Sequence, residues 1–172
     1  MVDFYREPLT LNDQTRAELP GEFIVLPDGV THYEIAGPED GPPVILIHGF
    51  STPLFIWDKN VDALAAAGCR VVRYDLFGRG YSDRPDGPYD GDLFDRQLLH
   101  LIDALGFDRV NLLGVSMGGA ITIAFTDRHP DRVDRIGLVD PAGFPMNVTL
   151  AALSLFLPVL GEIIMSVAGN KV

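Results

Sequence analysis

The chain has 172 residues, of which 47% are hydrophobic and 22% charged, and its formal net charge is −11. This length and this balance are typical of one soluble globular domain with a sizeable core. The strong negative charge argues against nucleic-acid binding, because phosphate backbones would be repelled, and against docking on anionic lipid through basic patches.

The first predicted elements are a polar N-terminal arm over residues 1–20 and a β-hairpin. Residues 22–26 and 30–35 read as its two strands, and the intervening Pro27-Asp28-Gly29 contains Asp-Gly, a strong hairpin signal. Because the return strand alternates apolar and polar residues, we expect a half-exposed position for His32.

After the hairpin, apolar strands alternate with amphipathic helices. Apolar runs without alternation indicate strands buried on both faces, and apolar residues at helical spacing indicate helices. The predicted elements are strand 44–47, helix 56–67, strand 70–74, helix 93–105, strand 110–113, a helix through 120–125 and strand 135–139. We therefore predict an α/β fold with a mostly parallel sheet, an N-terminal β-hairpin and helices on both faces.

The C-terminal stretch differs in character from the rest. Residues 148–168 are almost all apolar, but Pro158 and Glu162 interrupt them. A membrane span needs about 20 uninterrupted apolar residues, so we favour two short helices covering a pocket over a membrane anchor. This divides the chain into a core, residues 1–145, and the start of an apolar helical cap, residues 146–172.

A Gly-x-Ser-x-Gly sequence lies between a predicted strand and a predicted helix. Ser116 is at its centre, with Gly114 and Gly118 on either side. Strand, sharp turn and helix are the context of a nucleophile elbow, in which the apex residue is strained and tolerates no neighbouring side chains. The alternative is a glycine-rich turn with an incidental serine, but both flanking elements favour the elbow.

Two backbone amides are candidates for an oxyanion hole beside this serine. A carbonyl attacked by serine becomes an oxyanion, which needs preorganised donors. The N–H of Met117 opens the helix after the elbow, and the N–H of Phe50 follows strand 44–47. We expect Gly49 to let the backbone approach the serine and His48 to hold this loop.

Four motifs together resemble the serine hydrolases of the α/β-hydrolase fold, in the branch of esterases, lipases and carbon–carbon-bond hydrolases. They are His48-Gly49-Phe50, residues 74–85 with Asp75-Leu76-Phe77-Gly78-Arg79-Gly80, residues 114–119 and Val139-Asp140-Pro141-Ala142-Gly143. The resemblance implies that Ser116 attacks carboxylic esters to form an acyl-enzyme, and that the Phe50 and Met117 amides form the oxyanion hole. The dehalogenase and epoxide hydrolase branches carry an aspartate at the elbow, so Ser116 argues against them.

The family's catalytic acid and histidine follow later strands, and no histidine here fits the base. The four histidines are His32, His48, His100 and His129, and we expect none of them to serve Ser116. The resemblance therefore implies a chain that stops inside the cap and is inactive alone. Asp140 is an alternative acid, but a strand-end residue bonding nearby amides is the favoured interpretation.

Two further hypotheses stay open. One is a non-catalytic α/β-hydrolase-like module that binds a small ligand or a partner, and the other is a carbon–carbon-bond hydrolase of the same fold. The expected partners are a small apolar ester-type substrate and, through the open sheet edge at residues 135–139, a complementary C-terminal half or a second copy.

No cofactor, metal, nucleic-acid or membrane partner is expected. The acidic run over residues 83–95 lacks calcium-loop spacing, and Gly78-Arg79-Gly80 lacks the third glycine of a dinucleotide fingerprint. The single cysteine, Cys69, can form no internal disulfide, and we expect it to be a small buried hydrophobe. The N-terminus has neither the basic start nor the apolar segment of a secretory signal, which predicts a cytoplasmic location.

Overall fold

A six-stranded sheet organises residues 11–143, the part of the chain that the computed structural model describes. The strands are β1 Glu22–Leu26, β2 Gly29–Ala36, β3 Pro43–Ile47, β4 Arg70–Tyr74, β5 Val110–Val115 and β6 Val133–Val139. Across the sheet they lie in the order β1-β2-β4-β3-β5-β6. The β1–β2 and β2–β4 pairs are antiparallel, and β4-β3-β5-β6 are parallel. The predicted mostly parallel sheet with an N-terminal hairpin is confirmed.

Helices follow the strands as predicted, with shifted ends. They are α1 Asp13–Arg16, α2 Asp58–Ala66, α3 Gly91–Ala104 and α4 Met117–Arg128, with short 3₁₀ turns at Leu54–Trp57 and Pro130–Arg132. The helix predicted over 56–67 thus divides into a 3₁₀ turn and α2. The helix predicted from residue 93 starts at Gly91, because the Asp90 carboxylate caps the N–H groups of Asp92 and Leu93.

The core has two layers, one on each face of the sheet. Ile45, Leu46 and Ile47 of β3 are all fully buried, although neighbours along a strand point to opposite faces. Leu46 and Val71 pack with Trp57 and α2 on one face, where Cys69 is only partly buried. On the other face, strand residues such as Ile45, Ile47 and Leu112 pack with α3 and α4, through Leu98, Leu101, Ile102, Ile121 and Phe125 among others. Helices on both faces are therefore confirmed.

The N-terminal arm, residues 1–10, and the predicted cap, residues 146–172, lie outside the described residues, as does the predicted boundary at residue 145. Within residues 11–143, no helix combines the length and the apolar character that crossing a bilayer requires.

Candidate active site

Ser116 lies at the turn between β5 and α4, exposed and in a strained backbone conformation. Its φ is 52° and its ψ is −116°, and among the described residues only Asp140 is another non-glycine with positive φ. Contacts with the end of β6 hold this conformation. The Ser116 N–H donates to the Val139 carbonyl at 3.0 Å, and the Ser116 carbonyl accepts from the Ala142 N–H at 2.8 Å. The strain is thus sustained by the neighbouring strand.

The glycines around Ser116 allow backbone to touch backbone. A Cβ on Gly118 would lie 2.2 Å from the carbonyl oxygen of Ile47, and one on Gly114 would lie 2.2 Å from that of Gly118. Real Cβ atoms do not approach so closely, so no side chain fits at either position. The first turn of α4 is therefore pressed against the end of β3, as the elbow interpretation requires.

The loop after β3 borders the serine from the other side. Gly49 is buried, and a Cβ there would lie 3.4 Å from Ser116 Cβ and 3.9 Å from Ser116 Oγ. Phe50 follows, with its side chain 66% exposed. The Met117 N–H is the first in α4, where no intrahelical acceptor is available to it. The two predicted oxyanion residues thus belong to the two segments that flank Ser116, while their role stays a prediction.

His48 is buried and fixes the loop that carries Gly49. Its Nδ1 donates to the Gly49 carbonyl at 2.7 Å, and its Nε2 accepts from the Leu76 N–H at 2.9 Å. An acceptor on one side and a donor on the other select the neutral ring. Burial lowers the pKa of His48, because the charged ring would lose its hydration. Both ring nitrogens are occupied, so His48 holds the loop and cannot take a proton from Ser116.

The expected half-exposed position of His32 is wrong. His32 is 2% exposed, and its Nδ1 and Nε2 lie 2.8 Å from Asp75 Oδ2 and 2.9 Å from the Pro20 carbonyl. The alternation of apolar and polar residues along the strand could not predict this burial, because Asp75 and Pro20 lie in other segments of the chain. His129 Nε2 pairs with Asp95 at 3.1 Å, and His100 lies on α3. Within residues 11–143, no hydrogen bond joins any of the four histidines to Ser116.

Asp75, at the end of β4, is the centre of a buried network that the sequence analysis missed. It is 1% exposed, and its carboxylate accepts from the N–H groups of Leu54 and Tyr81 at 2.8 and 2.9 Å besides contacting His32. Its carbonyl accepts from the Ser82 hydroxyl and the Gln97 amide at 2.6 and 3.1 Å. In the sequence, the position of Asp75 after a strand and before a glycine-rich loop could have indicated this role. The network ties this loop to the sheet.

Asp140 follows β6 with a φ of 49° and is exposed. Its role as an alternative acid stays a prediction, and with no described histidine bonded to Ser116 it has none to orient. No group of three or more His, Cys, Asp or Glu side chains is placed to bind a metal among the described residues.

An apolar cavity of about 310 Å³, called here the α3–α4 cavity, adjoins the elbow. Met117 lines it, so it begins at the residue that follows the nucleophile. The other lining residues come from the end of the β4–α3 loop, from α3 and from α4: Tyr89, Asp90, Gly91, Phe94, Asp95, Ala120, Ile121, Ala124 and Phe125. Such a cavity suits the apolar part of a small ligand.

Known proteins share this sequence pattern and this fold. The chain is 35% identical over 127 residues to 2-hydroxymuconate semialdehyde hydrolase from Pseudomonas sp. strain CF600, covering 71% of this chain and 45% of that protein. It is 34% identical over 114 residues to the human (lyso)-N-acylphosphatidylethanolamine lipase, covering 64% of this chain and 33% of that protein. The crystal structure of the enol-lactonase from Burkholderia xenovorans LB400 superposes with a TM-score of 0.71 at 31% identity, covering 86% of this chain and 58% of that one.

The chain spans less than half the length of these two curated relatives. The family match itself is broad, because residues 42–158 fit the model described as the alpha/beta hydrolase fold. That range contains four of the six strands, the elbow and the loop of His48. The chain therefore belongs to the alpha/beta hydrolase fold family.

Proposed function

We propose that Ser116 is the nucleophile of a hydrolase that cleaves carboxylic esters through an acyl-enzyme. The observation that carries this proposal is the exposed Ser116 held at a φ of 52° beside Gly49 and the start of α4. Backbone strain of this kind persists only where the surrounding structure maintains it, and it concentrates at functional sites. A serine with a merely structural role needs neither exposure nor strain.

The proposed reaction uses the two segments that flank the serine. Ser116 Oγ attacks the ester carbonyl carbon, its proton passes to a general base, and the carbonyl π electrons move onto the oxygen. The N–H groups of Phe50 and Met117 then stabilise this oxyanion. When the carbonyl re-forms, the alcohol leaves with the proton from the base, and water later releases the acid by the same steps. Removing one oxyanion donor typically lowers the rate by about 10²–10³.

The general base is supplied, on this proposal, by polypeptide that these 172 residues do not include. Supporting this, His48 has both ring nitrogens occupied, and His32 and His129 contact Asp75 and Asp95. The β6 edge offers such polypeptide, or a second copy of the chain, a place to pair, since Leu138 and Val139 are 40% and 47% exposed beside the elbow. The 172-residue chain alone is therefore expected to hydrolyse p-nitrophenyl acetate no faster than its Ser116→Ala variant.

Imidazole added to the solution tests the nucleophile, because it can replace a missing base. The chain would be incubated with p-nitrophenyl acetate, with and without imidazole, and its peptides examined by mass spectrometry. We expect imidazole to promote an acetyl group on Ser116, which rapid acidification would trap before imidazole also promotes its hydrolysis. Ser51, an exposed serine in the loop after β3, provides the matched control. Ser51→Ala should keep the adduct, and Ser116→Ala should lose it.

Either of two results would contradict the proposal. No acetyl group on Ser116 under both conditions would refute its role as nucleophile. Rapid Ser116-dependent turnover without imidazole would show that the chain contains its own base.

A hydrolase of carbon–carbon bonds beside a ketone is the second candidate. The likeness to 2-hydroxymuconate semialdehyde hydrolase over 71% of the chain favours it, because the substrate in that name carries no ester. Acetylacetone and p-nitrophenyl acetate would place the same acetyl group on Ser116 but release a carbanion and a phenolate, respectively. An adduct formed from acetylacetone as readily as from the ester would favour the carbon–carbon hydrolase.

A further inference from the structure

Arg79, in the loop after β4, packs between the Phe50 loop, which borders Ser116, and the rings of Tyr89 and Phe94. Its guanidinium lies over the Phe50 ring, with 4.9 Å from Cζ to the ring centroid. The rings of Tyr89 and Phe94 lie at 5.9 and 5.7 Å. Its Nε donates to the Phe50 carbonyl at 3.2 Å, and its Nη1 donates to the Phe77 carbonyl at 3.1 Å. Three rings and two carbonyls therefore fix the plane of the guanidinium.

The charge of Arg79 has no counterion in the described part of the chain. No described carboxylate lies within 4.0 Å of it, whereas Arg73 pairs with both Glu34 and Asp58. Arg79 is partly buried, and burial lowers its pKa because the cation loses hydration. Among the partly buried arginines, Arg16, Arg73 and Arg132 each pair with a carboxylate, whereas Arg79, like Arg70, does not in the described part of the chain.

Arg79 also has N–H donors that bind no acceptor in the described part of the chain. A guanidinium has five N–H donors, and the carbonyls of Phe50 and Phe77 use two of them. The remaining donors are bound to no residue between 11 and 143. They include both N–H groups on Nη2, and a guanidinium with free donors in a fixed plane binds a carboxylate well.

The position of Arg79 relates these donors to the reaction. Phe50 is a proposed oxyanion residue, while Tyr89 and Phe94 line the α3–α4 cavity together with Met117. Arg79 therefore contacts both the loop beside the reacting carbonyl and a wall of the apolar cavity. A substrate bound at Ser116 with one substituent in the α3–α4 cavity would therefore contact two of the rings on which Arg79 packs.

We infer that Arg79 determines specificity by binding a carboxylate on the substrate, so that the preferred esters carry a negative charge besides the scissile group. This inference rests on the proposed function, because it takes Ser116 and the Phe50 loop as the place of reaction. It changes the expected substrate from a small apolar ester to a half-ester of a dicarboxylic acid or a similar anionic acyl compound.

Monomethyl and dimethyl glutarate form a suitable pair of probes, since they differ in one charged group. Binding of each to the 172-residue chain would be measured by ligand-observed NMR titration. We expect the monoester to bind at least about tenfold more tightly, as a charge-assisted hydrogen bond allows. Arg79→Met should abolish this preference, and Arg79→Lys should retain part of it. Arg84→Met, at an exposed arginine in the same loop, should leave it unchanged.

Three results would overturn the inference: no binding of the monoester, equal binding of the two esters by the unaltered chain, or a preference that survives in Arg79→Met. An equal loss of both ligands in a folded Arg79→Met variant would also overturn it, since Arg79 would then only hold the Phe50 loop. Ser116→Ala should keep the preference for the monoester. Failure of Ser116 acylation would therefore refute the proposed function separately from this binding result.

Discussion

Asp75 and Ser116 each follow the carboxyl end of a parallel strand, β4 and β5, but one side chain is buried and the other is exposed. Asp75 is 1% exposed, and each carboxylate oxygen has a partner, through Leu54, Tyr81 and His32. Ser116 is exposed, its backbone is strained, and its hydroxyl makes no hydrogen bond within residues 11–143. A polar group that is buried and fully bonded stabilises a fold. One that is exposed, strained and unbonded is available for chemistry.

Glycines serve both regions in different ways. A Cβ on Gly80 would lie 2.0 Å from Asp75 Oδ2, so glycine there lets the loop close over the carboxylate. A Cβ on Gly49 would lie 3.9 Å from Ser116 Oγ, which is an ordinary contact distance. Gly49 therefore leaves open the space in front of the hydroxyl, where a substrate carbonyl would approach.

The largest predicted effect is at Asp75. Asp75→Asn keeps the size of the side chain but removes the charge beside His32 and turns one acceptor into a donor that faces N–H groups. Breaking a buried pair in this way costs about 3–5 kcal/mol of unfolding free energy. Chemical denaturation followed by circular dichroism would measure it.

Asp140→Asn is the matched control, because Asp140 also follows a strand but is exposed. Asparagine adopts positive φ readily, so we expect a change within about 0.5 kcal/mol. A similar loss in both variants would contradict the distinction between the two regions.

The elements of the fold were predictable, because each depends on local sequence. The runs Ile45-Leu46-Ile47 and Val71-Val72 are buried on both faces, as apolar runs without alternation indicate. The ends of the helices were harder to predict. The Asp90 cap makes α3 begin at Gly91, two residues before the predicted start. The start of α2 shifts to Asp58 because the chain first forms the 3₁₀ turn at Leu54–Trp57.

The nucleophile elbow was predictable as well, since its glycine spacing is local. The surroundings of His32 and Arg79 were not. The ring of His32 is bonded to Pro20 and Asp75, and Arg79 stacks on Phe50, 29 residues away in sequence. Such contacts depend on which strands become neighbours, and a periodicity argument about one strand carries no information on that.

The second prediction concerns pH and His48. Its pKa in the folded chain lies below 6.5, the ordinary value that the unfolded chain has, because burial disfavours the charged ring. Between the two values the unfolded state binds more protons, so stability falls as pH falls below about 6.5. One such group contributes at most about 1.4 kcal/mol per pH unit.

Denaturation between pH 7.5 and pH 5 would compare the unaltered chain with His48→Gln. The variant should be less stable near neutral pH, because the loop of Gly49 loses a hydrogen bond, and its stability should decline less steeply below about pH 6.5. Every other residue is the same in both chains, so the difference between them reports on position 48. Parallel declines would show that burial does not lower the pKa of His48.

The smallest effect is predicted at the elbow itself, and its sign is opposite to that at Asp75. Ser116→Gly removes a hydroxyl that makes no hydrogen bond within residues 11–143 and relieves a φ of 52°, which glycine adopts at no steric cost. Strain of this kind costs about 1–3 kcal/mol, and the greater freedom of glycine in the unfolded chain offsets part of the gain, so we expect a stabilisation of about 1 kcal/mol.

Thermal unfolding of Ser116→Gly beside Ser116→Ala would separate the two contributions, because alanine retains the Cβ and should leave stability nearly unchanged. If glycine lowered stability while alanine did not, relief of the positive φ would not stabilise the chain. The backbone of Ser116 would then store no strain, and the argument for a nucleophile from backbone strain would fail.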